Sequence, residues 1–279
     1  MRKLSRAILT FYLPLALVGL PMLFPLYWLV ISALKSPGED FSIPPTWFPR
    51  QPTLHAFRAI FSGQNAAFAQ ALVTSLMVAG ATALLAVMVA ICGGYALARL
   101  QFRLRHLGGL ALLFTQLFPV AAILIPLYLF WARIGLHGSC VALIITYLAQ
   151  AVPVTTWLMK GYIETIPVEM EQQAWIDGAN RFQALVYVLL PLIGPAVGAT
   201  AILAFVGAWN EFVFALALTG TDPRTKTLPV AMVDFMGQHG VQWDCLMAAA
   251  TVATLPAVVL FFCAQRFFQR GLTAGAVKG

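Results

Sequence analysis

Six long apolar runs divide this chain, near residues 8–32, 68–98, 107–132, 139–159, 184–218 and 246–268, with shorter, more polar stretches between them. A helix needs about 20 apolar residues to cross ~30 Å of hydrocarbon, so each run is long enough to predict one span. Six spans place both ends of the chain on the same side of a membrane. The expected fold class is an all-α membrane protein with six transmembrane helices. The first run follows Arg2, Lys3 and Arg6, as a signal peptide would. Its apolar stretch is too long for a 7–15-residue signal core, and Pro14, Pro21 and Pro25 lead to no small-residue cleavage site, so a retained span is expected.

Composition agrees with the pattern. The 279 residues are 61% hydrophobic and 10% charged, with a mean hydropathy of +0.85. One soluble core cannot hide that much apolar surface. Orientation follows from Lys and Arg, which stay preferentially on the cytoplasmic side of span ends. Eleven of the 17 basic residues fall at the termini and in the connections after the second and fourth runs, and six fall on the other face. Both termini are therefore expected in the cytoplasm. The net charge of +7 reads as topology and contact with anionic lipid rather than nucleic-acid binding, because the basic residues assemble no single face. Cys92, Cys140, Cys245 and Cys263 lie in or beside apolar runs without CxxC spacing, which predicts small buried apolar residues.

No internal repeat or low-complexity linker is present, so residues 1–279 are expected to form a single transmembrane domain. Between the first two runs, Pro44, Pro45, Pro49 and Pro52 prevent a regular helix until a short one around Leu54 to Phe61. The segment Thr219–Asp244 is richer in polar residues, and both segments read as external loops.

The connection after the fourth run carries the most local information. Thr165 is placed to cap a helix from about Pro167 to Ile176, with Glu169 and Glu171 at its positive end. Asp177 and Gly178 should end it, Gly being able to take the left-handed conformation. Asn180 followed by Gln183 has the spacing of a capping box for a second helix, which Pro191 and Pro195 should bend at the membrane boundary. Met170 and Ala174, four apart, share a face suited to docking.

Several chemistries lack their residues. None of the five lysines is preceded by Gly, which a P-loop requires, and neither HExxH nor GxSxG occurs. His55, His106, His137 and His239 are far apart. No catalytic residue, resident metal or cofactor is expected in this chain.

Asp177, Gly178 and Ala179, followed by Leu190 and Pro191, resemble the EAA loop of binding-protein-dependent ABC importer permeases, whose pattern is EAAxxDGA and then LP. FPLYWLVISALKSP, NAAFAQALVTSLMV, GGYALARLQF, IPLYLFWARIGL, WNEFVFAL and GLTAGAVKG extend the resemblance, in order, over the whole chain. The chain is thereby similar to the maltose-type sugar permease, the smaller partner of a heterodimeric pair. In the motif itself Gln172 stands where the family usually has Glu, and Gln173 where it has the first Ala; only Ala174 is retained. Glu171 comes one position earlier, about 100° away on a helix.

This resemblance implies the type I ABC importer permease fold, with a cytoplasmic coupling loop at about 164–190 and a cytoplasmic tail at about 269–279. It implies a bacterial inner-membrane location and three kinds of protein partner: a second, non-identical permease, two copies of an ATP-binding subunit that hold ATP and Mg, and an extracytoplasmic sugar-binding protein. Glu171, Gln172, Gln173, Ala174, Asp177, Gly178 and Ala179 are the implied ATPase-coupling residues.

Glu211 is the only acidic residue well inside an expected span, and an unpaired carboxylate there costs about 2.5–3.5 kcal/mol on insertion scales. With Trp209 and Asn210 it is open to two readings, a pathway or partner contact and a structural hydrogen bond. Trp131, Tyr147, Trp157, Trp209 and Phe212 fit an interfacial belt better than a sugar-stacking site. A disaccharide such as maltose or trehalose is the expected solute; a glycerol-phosphate permease of the same family is the alternative. A proton-coupled secondary transporter would show ionisable residues in several spans and paired broken helices.

Overall fold

The computed structural model describes residues 12–62, 67–219, 222–237 and 240–276, with side chains to Cys263. Expectations resting on Arg2, Lys3, Arg6, His239 and residues 277–279 of the tail lie outside the described residues. Helices make up most of the chain: α1 Leu13–Ala33, α2 His55–Ile60, α3 Ala67–Arg99, α4 Arg105–Phe114, α5 Val120–Arg133, α6 Cys140–Glu164 and α7 Glu169–Ile176. They continue with α8 Arg181–Leu192, α9 Gly194–Trp209, α10 Val213–Leu218, α11 Leu228–Met232 and α12 Trp243–Ala276. Between α11 and α12, Met236–Gly237 pairs antiparallel with Gly240–Val241.

Four of these helices, α1, α3, α6 and α12, are long and apolar enough to cross a membrane. The third and fifth apolar runs are not the straight helices the hydropathy suggests. The third bends by 94° between Leu117 and Val120, and the fifth by 81° between Leu192 and Gly194. Counting each bent pair as one span gives up to six. Proline chemistry explains the first break: Phe118, ahead of Pro119, is extended at ψ 125°, because a proline ring crowds the helical conformation of the residue before it. At the second, Ala184–Leu189 is π-helical just upstream of Pro191, whose missing N–H interrupts the i→i−4 ladder. The fifth run breaks again after Trp209, leaving α10 separate.

The described chain forms two compact units, one from residues up to Ala69 together with Ala231–Pro256, the other from Gln70–Val230 and the residues from Ala257 on. In the first, prolines deny the segment after α1 a backbone ladder and a carboxylate takes its place. Glu39 accepts hydrogen bonds from Ser36 Oγ, Thr46 Oγ1 and the Arg50 N–H at 3.2, 3.0 and 2.9 Å. Lys35 is buried over the Trp28 ring, 3.9 Å from Asp40.

In the second unit, α3 lies close against α6. A Cβ on Gly94 would meet the Lys160 backbone N and Met159 Cβ at 2.9 Å, and one on Gly93 would meet Thr156 Cγ2 at 3.0 Å. Lipid tails are as apolar as leucine, so membrane helices associate through such close packing rather than through hydrophobic exclusion. Further along, Ala83, Ala86 and Ala204 pack with Ala151 and Phe205. Ser139 caps α6 by accepting from the Ala142 N–H at 3.2 Å. Ser75 Oγ accepts from the Leu228 N–H at 2.7 Å, tying the start of α11 to α3.

The cysteines depart from expectation: only Cys245 is buried, Cys140 is intermediate, and Cys92 and Cys263 lie on exposed helix faces. Trp131, Tyr147 and Trp209 are buried rather than belt residues, and the Trp131 indole donates to Thr146 Oγ1 at 3.1 Å.

Candidate functional site

The loop after α6 is built by short-range chemistry. Thr165 does not start α7; it ends α6, its hydroxyl donating to the Tyr162 carbonyl at 2.7 Å. A threonine at a helix C-terminus can bond backward as readily as forward, and here the backward acceptor wins. Helix α7 therefore begins later than expected, at Glu169, without a side-chain cap. Its C-terminus closes in a Schellman motif. The Ala179 N–H donates to the Ala174 carbonyl at 2.9 Å and the Gly178 N–H to the Trp175 carbonyl at 3.1 Å, with Gly178 at φ 90°. The next turn opens with the reciprocal capping box of Asn180 and Gln183, at 2.9 and 2.8 Å.

The end of α7 and the start of α8 are thus locked within one turn of each other, and the surface around them is exposed. Gln172, Gln173, Asp177 and Gly178 are exposed, and Ala174 and Ala179 are half-buried. Apolar side chains stand out beside them, Ile176 at 84% and Phe182 at 72% exposure. The Arg181 guanidinium lies over the Trp175 ring.

Glu171 is placed otherwise. It is wholly buried, and its Oε1 accepts from Arg99 Nε at 2.6 Å. Arg99 Nη2 donates to the Ile166 carbonyl, also at 2.6 Å. The 100° step between neighbours on a helix thus turns Glu171 inward while Gln172 faces out. In the sequence Arg99 registers only as a topology charge, since its partner is 72 residues away.

At the second candidate site, Glu211 sits in the break between α9 and α10. Its Oε1 accepts from the Phe214 N–H at 2.9 Å and its Oε2 from the Ala215 N–H at 3.0 Å. The carboxylate satisfies the free amides at the start of α10, where the helix N-terminus favours negative charge. It also lines a cavity of about 280 Å³ with Gln116, Tyr147, Gln150 and Thr155, over a small-residue wall including Gly207 and Ala208. Asn210 instead turns its amide back to the Val206 carbonyl at 3.0 Å, and Trp209 stacks on Phe205. Gln116 and Gln150 were missed as site residues, although polar side chains inside apolar runs are the same signal that marks Glu211.

The family model for "Binding-protein-dependent transport system inner membrane component" matches residues 90–274, a stretch that contains both candidate sites. The chain belongs to that family. It is an ABC transporter permease of the sugar-transport type and a multi-pass protein of the bacterial inner membrane. Among its relatives, the sulfoquinovosyl glycerol transport system permease protein SmoH of Agrobacterium fabrum is 36% identical over 92% of this chain and 89% of its own. The trehalose/maltose transport system permease protein MalG of Thermococcus litoralis is 32% identical over 94% of each. YcjP, an inner membrane ABC transporter permease protein of Escherichia coli, is 33% identical over all of this chain and 98% of its own. The solved structure of a bacterial ABC transporter involved in alginate import shares the fold, with a TM-score of 0.79, 18% identity, and coverage of 96% of this chain and 98% of that one.

Proposed function

We propose that this permease forms half of the solute pathway of an ATP-driven importer for a di- or oligosaccharide, paired with a second, non-identical permease. Each bent helix pair counts as one span in this reading, which makes six spans with both termini in the cytoplasm. ATP and Mg are held by two copies of a separate ATP-binding subunit that grips the 164–190 loop, and a binding protein delivers the sugar from outside.

The observation that carries the coupling role is the α7 loop: a short helix closed at its C-terminus by a hydrogen-bonded turn that leads directly into the capping box of α8, with Gln172, Gln173, Ile176 and Phe182 exposed beside them. A lever must be stiff and must make different contacts in two states, and this loop is locally stiff. Gln172 offers a neutral hydrogen-bonding group where relatives of the EAA pattern carry a charge, so its contact is weaker and less salt-dependent than a carboxylate's. The cavity at Glu211, with Gln116, Tyr147 and Gln150, is the part of this chain suited to hydroxyl-rich solute. Sugar class rests on relatives such as the trehalose/maltose and sulfoquinovosyl glycerol permeases, and the proposed solute is a disaccharide such as maltose or trehalose.

The test is to tag the chain in its host, purify it in mild detergent and identify its companions. Recovery of an ATP-binding subunit and a different permease is expected, followed by stimulation of ATP hydrolysis by the right sugar with its binding protein. Recovery of the chain alone, under conditions that preserve a known transporter complex, would overturn the reading. In the assembled complex Gly178→Leu should impair uptake while the protein stays in the membrane. A Cβ there has open space, so the cost is the left-handed backbone alone, roughly 1–2 kcal/mol, and Gly178→Asn should recover most of the loss.

A further inference from the structure

We infer that Arg99 and Glu171 are positioning residues that tie α7 to α3, so that displacement of the docked loop is passed into the long helix as a directed pull. The inference rests on the coupling role proposed for the loop and adds the element that receives its motion.

Three observations carry it. Glu171 is fully buried in a loop whose neighbouring positions 169, 170, 172 and 173 are all exposed; a carboxylate on a docking surface would face outward. The Arg99 guanidinium uses its fork on two sides of one turn, Nε on the Glu171 carboxylate and Nη2 on the Ile166 carbonyl, both at 2.6 Å. It therefore fixes the start of α7 relative to the end of α6 as well as to α3. The electrostatics also match: Arg99 is the last residue of α3 and Glu171 lies in the first turn of α7. A cation at a helix C-terminus meets an anion at a helix N-terminus, each favoured by its own helix.

The surroundings make the tie rigid. Tyr95, one turn before Arg99, is buried with Ile163, Leu185 and Leu189, and Ala98 and Ile166 pack against them. Gly93 and Gly94 let α3 come close enough to α6 for Arg99 to reach. Apolar contacts in this cluster can slide on displacement; a forked, charge-assisted pair holds distance and direction together. Buried ion pairs are weak evidence for stability and are often replaceable by apolar residues of similar size without loss of fold. That property separates a tie from a structural filler.

The experiment uses the whole transporter complex, nucleotide-free and trapped with ADP and vanadate, and follows hydrogen exchange in peptides covering residues 169–176 and 92–103. In the wild type both peptides should change on trapping. In the double variant Arg99→Met with Glu171→Leu, the 169–176 response should persist while the 92–103 response falls by roughly fivefold or more, the lower end of ordinary coupling factors. The single variants Arg99→Met and Glu171→Leu should show the same uncoupling, with lower recovery because each leaves a buried charge alone. A wild-type response at 92–103 in the double variant would overturn the tie. So would a double variant that no longer assembles with the ATP-binding subunit, since the pair would then serve folding. If the wild-type 169–176 peptide itself does not respond, the coupling reading fails first and the tie falls with it.

Discussion

Glu171 lies in a polar, largely exposed loop and is completely buried, whereas Glu211 lies in an apolar run and reaches a cavity. Their partners differ in kind. Glu171 is held by a side chain 72 residues away, Glu211 by backbone amides three and four residues ahead in its own chain. Glu211 shows that a carboxylate in an apolar run can be satisfied locally, by a helix start that the run's own break exposes. Glu171 shows that one in a polar loop can be drawn inward when a cation is brought opposite it. The surroundings of a charge follow from what stands across from it, not from the polarity of its sequence neighbours.

The strongest way to break the contrast is to keep Arg99 from arriving. Gly94→Leu places its Cβ against a backbone atom at 2.9 Å, which flexible side chains cannot relieve, and should cost about 3 kcal/mol or more. Recovery of monodisperse protein in detergent should collapse. Gly80→Ala is the control on the same helix, since nothing lies within 4 Å of a Cβ there, and recovery should be unaffected.

The two carboxylates can next be set against each other. Glu171→Ala strands a guanidinium that is only 11% exposed, at a cost of about 3–5 kcal/mol. Glu211→Ala removes a helix-end acceptor and should cost about 0.5–2 kcal/mol. Thermal unfolding of the two purified variants should preserve that order; equal losses would mean that Glu211 has a buried role beyond capping α10.

The smallest effect concerns a third carboxylate, Glu39, which like Glu211 is held by nearby donors. The Arg50 N–H holds its pKa below the usual 4.5; burial pushes the other way, and the Thr46 and Ser36 hydroxyls add to the lowering. A depressed acid contributes stability above its unfolded value and loses it as the pH falls through the folded one. The 35–53 segment should therefore loosen only below about pH 4.5, measured as increased proteolysis there, and Glu39→Gln should flatten the dependence. Asp40 opposes it: burial raises its pKa, partly countered by Lys35, so Asp40→Asn should sharpen the acid transition.

The apolar runs of this chain, read alone, already determined that it is helical and belongs in a membrane, because run length and hydrocarbon thickness are matched by simple geometry. The same holds for the end of α7 at Gly178, the Asn180–Gln183 box and the bend near Pro191. Each depends on residues within a few positions, and so does the order of motifs that carries the family resemblance. Local signals also misled where two partners were equally near, as at Thr165, or where proline divided a continuous apolar run, as at Pro119. Only the tertiary structure decided that Arg99 meets Glu171, that Gln116 and Gln150 join Glu211 around one cavity, and that Trp131, Tyr147 and Trp209 are core residues. Those outcomes depend on which helix faces lie opposite one another, a choice made by the close approach of α3 and α6 at Gly93 and Gly94 and by the bends of the two broken helices. A periodic apolar pattern says that a face is buried; it does not say against what.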